Sequence, residues 1–180
     1  MTLLDETERL LLCKPTRNDA ASLHACLGDP VATRFASTSP SLEATRERIA
    51  VHEAARRCRG YAPWVLRDKA NMEIIGWGGL YADPFKVGLT LELVCHIRIS
   101  SRRKGLAAEL VMHCISRARQ DGLARQIQAL VHQQNTPARR LLEFGGFGYR
   151  EYDTALDRIR YEYCVRADAQ NANFMPADSA

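Results

Sequence analysis

The sequence has few lysines, no paired-cysteine motif and no long apolar run, and each absence argues against a class of protein. Only four of its 25 basic residues are lysine, and the basic residues are spread along the chain rather than massed in a block. This distribution does not favour a nucleic-acid-binding stripe. The six cysteines include no Cys-x-x-Cys pair and no zinc spacing, so we expect buried free thiols and no metal site. No segment is long enough to span a bilayer.

The overall composition is that of a globular protein. Its 180 residues suit one domain, and 46% of them are hydrophobic and 26% charged. We expect a single domain over residues 1–166 and a loose tail over residues 167–180, which are small, polar and proline-containing. The N-terminus lacks a basic stretch followed by an apolar run, which predicts a cytoplasmic protein with no membrane partner. The mild net charge of +4 suits an acidic or phosphorylated ligand.

Residues 102–107, Arg-Arg-Lys-Gly-Leu-Ala, form the strongest local signal. They follow an apolar run at 89–99 that predicts a strand, and they precede a helical pattern that ends near Gly122. The free N–H groups of a helix's first turn favour an anion, and Gly105 allows close approach of the backbone to a ligand. Neither a Walker-type loop nor a dinucleotide fingerprint occurs. The residues alone leave two interpretations open, a phosphate-binding turn and a solvated basic turn.

The remaining periodic segments predict seven strands and four helices. The strands are expected at residues 9–15, 61–67, 73–81, 89–99, 127–131, 147–152 and 158–165. Two helices follow the first strand, the second opening with Pro40 at its first position; a third follows residue 105 and a fourth follows Asn135. Short turns predict an antiparallel meander, and the strand–helix–strand crossover predicts a parallel pair. The expected fold class is therefore α/β (α+β) with a mixed, mostly antiparallel sheet.

With this order of elements, the chain resembles the GNAT superfamily of acyl-CoA-dependent N-acetyltransferases over residues 8–166. Arg102-x-x-Gly105-x-Ala107 matches the family's pyrophosphate loop, and the segment 76–80, Gly-Trp-Gly-Gly-Leu, is similar to a strand of its Rim-type branch, the ribosomal-protein N-terminal acetyltransferases. The residues that match a later helix of that branch are Asn135, Leu141, Glu143, Gly146 and Phe147. The resemblance implies the GNAT fold with splayed central strands.

The resemblance also implies acetyl-CoA as cosubstrate and a primary amine as acceptor. The acceptor would be a protein N-terminal α-amino group or a small amine such as a polyamine, an amino acid or an antibiotic. The end of the central strand would pair with the pantetheine arm and polarise the thioester, the loop would surround the pyrophosphate, and the later helix would add contacts. The expected cosubstrate-binding residues are Ile97, Arg98, Ile99, Arg102, Arg103, Lys104, Gly105, Leu106, Ala107, Asn135 and Arg139.

Two polar residues of the central strand are candidates for proton transfer. Alternation places Glu92, His96 and Arg98 on one face, opposite an apolar face that includes Ile99 and packs under the next helix. Polar side chains there are costly unless the face borders a cleft, which predicts an acceptor site. Glu92 matches a glutamate of the Rim-type strand and is the first candidate for general base; alternatively it orients the acceptor or pairs with Arg98. The ordinary pKa of histidine suits His96 to proton transfer; alternatively, His96 is structural. We expect His52 to be structural.

The sequence departs from the family pattern where a general acid is expected. The usual tyrosine position is Leu142 and the Rim-type serine is Ala138, which leaves Tyr149, Tyr152 or water to protonate the leaving thiolate. This departure keeps a second function open, a non-catalytic CoA-binding regulatory module. A third, an Arg-rich RNA-binding protein, would need clustered cations with exposed aromatics. The sequence also leaves the oligomeric state open, a homodimer included.

Overall fold

One open sheet organises the chain, which a computed structural model describes over residues 1–36, 38–83, 85 and 89–165. The strands are β1 Thr2–Glu6, β2 Leu10–Lys14, β3 Trp64–Asp68, β4 Ile74–Ala82, β5 Leu91–Ile97, β6 Gln126–Val131, β7 Gly148–Asp153 and β8 Arg158–Cys164. The α-helices are α1 Ala20–Leu27, α2 Leu42–Arg59, α3 Leu106–Asp121 and α4 Thr136–Phe144. The strand order is β1-β2-β3-β4-β5-β6-β8-β7, and β5–β6 is the parallel pair among antiparallel neighbours. The mixed, mostly antiparallel fold is confirmed.

In the part of the chain that the structure describes, the sheet has eight strands, one more than the seven that the sequence predicts. The additional strand, β1, pairs with β2 at the edge of the sheet, and its residues are mostly exposed. Contacts with α3 hold it in place: Asp5 Oδ2 accepts a hydrogen bond from Arg117 Nη1 at 3.0 Å and lies 3.0 Å from His113 Nε2. An edge strand with little burial has no alternating pattern, and for this reason the sequence does not reveal it.

Two predicted boundaries differ from the structure. β5 ends at Ile97, and the next residues form a short 3₁₀ turn, Ile99–Ser101. Consequently Ile99 is not part of the apolar strand face, and its side chain is exposed. Helix α2 begins at Leu42 instead of Pro40, because Ser41 caps it: its Oγ accepts from the Ala44 N–H at 3.1 Å. The predicted tail, residues 167–180, lies outside the described residues.

Apolar side chains fill both faces of the sheet. Helices α3 and α4 cover one face, where Leu110 belongs to the same buried cluster as Leu66 and Leu91. Helices α1 and α2 cover the other face, where Leu23 clusters with Trp77. Full burial of one such side chain contributes about 1.5–3 kcal/mol, so these two layers fix which residues of each strand face which helix pair. No helix in the described part of the chain is long and apolar enough to cross a membrane.

The six cysteines are free thiols with unequal exposure. The buried ones are Cys13, Cys26 and Cys114; Cys95 is partly buried, and Cys58 and Cys164 are exposed. The expectation of buried thiols is therefore wrong for the two that lie at the ends of α2 and β8. Burial raises the pKa of the Cys95 and Cys114 thiols, which lie near each other between β5 and α3.

Candidate functional site

Strands β5 and β6 separate along their length and leave an opening, here called the β5–β6 cleft. In the described residues their pairing consists of Leu91 with Ile127 and Glu92 with Gln128, after which both strands continue without a further paired register. The Arg98 N–H donates to the Ile75 carbonyl of β4 at 2.7 Å. Because backbone groups alternate along an antiparallel strand, the N–H and C=O of the preceding Ile97 point the other way, toward the cleft, where the carbonyl already accepts from Arg102 Nε at 2.8 Å. The cleft thus offers strand-edge groups to a linear ligand that contains amides.

The connection from β5 to α3 has a backbone shape suited to an anion. Arg103 and Gly105 adopt left-handed conformations, with φ of 61° and 80°, and Gly105 is the residue that caps α3. Left-handed residues beside right-handed ones turn successive N–H groups to one side. The first-turn N–H groups of Leu106 and Ala107 have no acceptor within the helix. The side chains of Arg103 and Lys104 are exposed beside these groups and add positive charge.

The turn between β1 and β2 braces this connection. The Glu109 carboxylate accepts hydrogen bonds from the Thr7 hydroxyl, from the Arg9 N–H at 2.8 Å and from Arg9 Nε at 2.7 Å. Arg9 Nη1 donates in turn to the Lys104 carbonyl at 2.8 Å. Burial opposes ionisation of Glu109, but the bonds from Thr7 and Arg9 outweigh it and hold its pKa below the ordinary value. The loop geometry therefore depends on a side chain almost one hundred residues earlier in the chain.

A row of polar residues crosses the sheet at the closed end of the cleft. The strand registers place Tyr81 of β4, Glu92, Gln128 of β6 and Glu162 of β8 side by side. All four lie on the face covered by α1 and α2, because their chain neighbours belong to the core under α3 and α4. Helix α2 adds His52, whose ring stacks on Tyr81 with centroids 4.8 Å apart. Glu92 thus stands where a ligand that fills the cleft would end.

The alternative pairing of Glu92 with Arg98 is wrong. Six residues of extended strand span about 20 Å, which puts the two side chains out of reach of each other. Arg98 Nη1 instead lies 3.5 Å from Glu73 Oε2 at the start of the preceding strand.

His96 lies on the same face as Glu92, and its surroundings change its acid–base behaviour. Burial, with the charges of Arg48 and Arg102 nearby, lowers the pKa of His96 to about 4. Burial, with Arg48 and Arg56, likewise lowers the pKa of His52 to about 4. Both imidazoles are therefore neutral near pH 7 and accept a proton poorly. His96 keeps the ability to orient an acceptor by hydrogen bonding, whereas proton removal suits Glu92 better.

The buried state of His52 makes stability depend on pH. Its Nδ1 is buried and has no hydrogen-bond partner in the described residues. Because the folded pKa of about 4 lies below the ordinary value of 6.5, the unfolded chain binds the additional proton between these values, and stability falls as the pH decreases through this range. His52→Phe keeps an aromatic ring stacked on Tyr81. Its free energy of unfolding, measured with urea, should fall less between pH 6.5 and pH 4 than that of the parent protein. An unchanged pH slope would contradict this assignment.

The structure brings most of the predicted cosubstrate residues to the open end of the cleft. Arg102, Arg103, Lys104 and Gly105 form the loop after β5, and Leu106 and Ala107 begin α3. Asn135 and Arg139 lie at the start of α4, beyond the end of β6, and both have structural partners. Asn135 Oδ1 caps α4 by accepting from the Ala138 N–H at 3.3 Å, and Arg139 Nε donates to the Tyr161 hydroxyl at 3.2 Å.

The two tyrosines considered as general acids lie away from the cleft. Tyr149 and Tyr152 belong to β7, and β8 separates this strand from β6. Two strand spacings amount to about 10 Å. The Tyr152 hydroxyl donates to Asp157, and the Tyr149 side chain is 61% exposed. These positions do not support either tyrosine as the donor to a thiolate in the cleft.

Sequence reasoning missed the contribution of α2 to this site. Arg48, His52 and Arg56 recur every four residues and so share one face of the helix. That face looks toward β4 and β5, since Arg48 influences His96 and His52 stacks on Tyr81. The four-residue spacing of basic residues is visible in the sequence, but without the fold it does not distinguish a site from a solvated face.

Comparison with known families identifies the family of the chain. Residues 9–148 match the profile of the family described as "Acetyltransferase (GNAT) domain". The chain belongs to the GNAT acetyltransferase family. A search of curated protein sequences finds no significant match.

Solved structures of GNAT proteins share the fold at low sequence identity. An acetyltransferase from Agrobacterium tumefaciens strain C58 is 18% identical, with a TM-score of 0.77 over 91% of this chain and 94% of that one. RimL, a ribosomal L7/L12 alpha-N-protein acetyltransferase in complex with coenzyme A, is 13% identical, with a TM-score of 0.72 over 90% and 97%. A phosphinothricin acetyltransferase from Sinorhizobium meliloti with acetyl-CoA is 20% identical, with a TM-score of 0.67 over 87% and 88%. At these identities the likeness shows the fold alone.

Proposed function

We propose that the protein transfers an acetyl group from acetyl-CoA to a primary amine. The observation that carries this proposal is the β5–β6 cleft, with the loop after β5 at its open end and Glu92 at its closed end. Acetyl-CoA has the matching order of groups: a pyrophosphate, an arm containing two amides, and a terminal thioester. The family membership of the chain, the complex of RimL with coenzyme A and the complex of the phosphinothricin acetyltransferase with acetyl-CoA support the same ligand.

The residues present fit this cosubstrate. Backbone N–H groups from Arg103 to Ala107 would surround the pyrophosphate, with the charges of Arg103 and Lys104 close by. The edge of β5 from Glu92 to Ile97, about 17 Å long, would pair with the amides of the pantetheine arm. Arg98, Asn135 and Arg139 flank the opening and are proposed as outer contacts. Ile99 lies in the 3₁₀ turn, so its backbone would contribute as part of the loop and not as strand.

The protein needs to supply few catalytic groups, because acetyl-CoA is an already activated acyl donor. Glu92 would take a proton from the acceptor's ammonium, directly or through water, and free its lone pair for attack. A cleft-facing N–H of β5 would stabilise the negative charge that develops on the carbonyl oxygen. Neutral His96 would orient the amine beside Glu92. With Leu142 buried at the usual tyrosine position, water is the proposed proton source for the thiolate.

For the acceptor we favour a protein N-terminal α-amino group, as in the Rim-type branch. An α-amino group has a pKa of about 7.7–8.0, against about 10.4 for lysine, so a carboxylate base deprotonates it more easily. The likeness to RimL supports this choice, and the likeness to the phosphinothricin enzyme supports a small amine. A regulatory module that binds CoA without transfer is the second candidate, favoured by Leu142 and Ala138 in place of the usual hydroxyl residues. A cytoplasmic location and a homodimer stay predictions.

Isothermal titration with acetyl-CoA, followed by measurement of released coenzyme A thiol, tests the proposal. The acceptor panel would contain short peptides with free N-termini, polyamines and amino acids. Binding with amine-dependent release is the expected result, and the preferred acceptor identifies the substrate class. Binding without release on every acceptor would favour the regulatory module. No binding of acetyl-CoA would overturn the assignment of the cleft.

A further inference from the structure

We propose that Arg102 is a positioning residue that fastens residues 29–36 across the open end of the β5–β6 cleft. The Arg102 side chain would then affect binding of the acceptor amine, and the neighbouring loop residues would bind the phosphate groups of acetyl-CoA. The link to an acceptor rests on the function proposed above; the fastening itself does not. This division of roles separates Arg102 from Arg103 and Lys104, with which it shares the loop.

The contacts of the Arg102 guanidinium join two parts of the chain that are seventy residues apart. Its Nε donates to the Ile97 carbonyl at 2.8 Å, and its Nη2 donates to the Ala32 carbonyl at 2.8 Å. Ile97 ends β5, and Ala32 lies in the segment between α1 and α2. A guanidinium is planar and presents several donors in a fixed arrangement, so one side chain can hold both carbonyls at once. Both acceptors are neutral backbone carbonyls. Neither is a carboxylate whose place beside the guanidinium a phosphate could take.

A second contact ties the same segment to the other side of the cleft. The ring of Phe35 stacks on His132, with centroids 5.1 Å apart and planes 25° apart. His132 directly follows the last residue of β6, and its Nε2 lies 3.4 Å from Asp157 Oδ2 in the β7–β8 turn. The segment is therefore tied to the chain at the ends of both strands that border the cleft: to the end of β5 through Arg102, and to the residue after β6 through Phe35.

The position of the segment places it on the path of the acceptor. Residues 29–36 connect α1 to α2, and these helices cover the sheet face that carries Glu92 and His96. The anion-binding loop leads instead into α3, on the opposite face. At the open end of the cleft, where Arg102 holds Ala32, residues 29–36 border the approach to this face, whereas acetyl-CoA would enter from the α3 side. Fastening this segment thus shapes the acceptor path and leaves the phosphate contacts unchanged.

Hydrogen exchange measured by mass spectrometry tests the fastening. Within the segment, the Thr33 N–H donates to the Asp29 carbonyl at 3.0 Å and the Ala36 N–H to the Thr33 carbonyl at 2.7 Å. In Arg102→Ala we expect these amides to exchange about tenfold faster, as the loss of a charge-assisted hydrogen bond predicts, and acetyl-CoA affinity to fall less than in Arg103→Ala. Arg103→Ala is the matched control: it should weaken acetyl-CoA binding and leave exchange in residues 29–36 unchanged.

Kinetics with the best acceptor of the panel adds a second readout. Arg102→Ala should raise the KM for the acceptor about tenfold and raise the KM for acetyl-CoA less than Arg103→Ala does. Arg102→Lys, which keeps the charge but not the fork of donors, should restore only part of the protection from exchange.

Two results would overturn the proposal: unchanged exchange in Arg102→Ala, or a loss of acetyl-CoA affinity as large as in Arg103→Ala. If the parent protein binds no acetyl-CoA, the proposed function fails, and the exchange comparison still decides the fastening. If Arg102→Ala does not fold, Arg102→Lys takes its place, and unchanged exchange of the Thr33 and Ala36 amides in that variant would again overturn the proposal.

Discussion

Gly105→Val is expected to weaken acetyl-CoA binding at least about a hundredfold, the equivalent of two lost charge-assisted hydrogen bonds. Gly105 has a φ of 80°, a conformation that a β-branched residue adopts only with strain. A Cβ at this position would lie 3.2 Å from Arg9 Nη2, so the valine methyl groups would displace the guanidinium that holds the Lys104 carbonyl. The N–H groups of the loop would then no longer converge. Isothermal titration measures the affinity, and thermal unfolding reports whether the variant is folded.

Gly60→Val is the matched control for this substitution. Gly60 caps the end of α2 with the same φ of 80°, and a Cβ added there would meet no atom within 4 Å. Both variants carry a left-handed valine, at a cost of about 1–3 kcal/mol of stability. Only Gly105→Val should lose acetyl-CoA binding. Equal binding losses in the two variants would assign the effect to general destabilisation, and normal binding by Gly105→Val would refute the phosphate loop.

Glu92→Gln is expected to lower kcat by about a hundredfold to ten-thousandfold, the range for loss of a general base. The amide has nearly the same shape as the carboxylate but cannot take a proton from an ammonium. Glu92 lies at the closed end of the cleft, away from the loop, so the affinity for acetyl-CoA should not change. Steady-state kinetics with the identified acceptor, together with titration of acetyl-CoA, separates these two effects.

Glu162→Gln provides the comparison for Glu92→Gln. Glu162 lies in the same row across the sheet, next to Gln128, and its carboxylate accepts from Arg150 Nε at 2.7 Å. Arg150 is about half exposed (55%), and the glutamine oxygen can still accept from it, so this substitution should cost little stability and leave kcat near the parental value. A similar fall of kcat in both variants would indicate a general electrostatic effect of the row. Full turnover by Glu92→Gln would remove Glu92 from the mechanism.

The sequence predicts β5 and α3, the elements on either side of the loop at 102–105, because both have a strongly periodic pattern of apolar residues. The apolar spacing of α3 corresponds to its buried side chains, and Gly122 ends the helix in a left-handed conformation. The same reasoning extends β5 too far, since Ile99 is apolar and continues the alternation of the strand. In the structure, the 3₁₀ turn at Ile99–Ser101 redirects the chain toward Arg102. When an apolar residue follows a predicted strand, the sequence pattern alone does not show whether it is the last residue of the strand or an exposed turn residue.

Most side-chain partners at the site could not be predicted, because they depend on how distant segments meet. The family motif gives Arg102 its place in the loop, but the Ala32 carbonyl that it binds belongs to an irregular segment with no readable pattern. The bond from Arg9 to the Lys104 carbonyl requires the β1–β2 turn, and β1 itself has no signal. The lowered pKa of His96 likewise results from Arg48 on α2 and from burial that only the fold creates.

The unequal exposure of the six thiols determines how cleanly transfer can be followed with a thiol-reactive dye. Such a dye reports coenzyme A as it is released, but it also labels accessible cysteines of the protein. Cys95 and Cys114, whose pKa is raised by burial, hold their protons and react slowly. The background signal therefore originates mainly from Cys58 and Cys164, which lie in the last turn of α2 and at the end of β8. Replacing both residues with serine would lower the background labelling of the protein and leave the β5–β6 cleft unchanged.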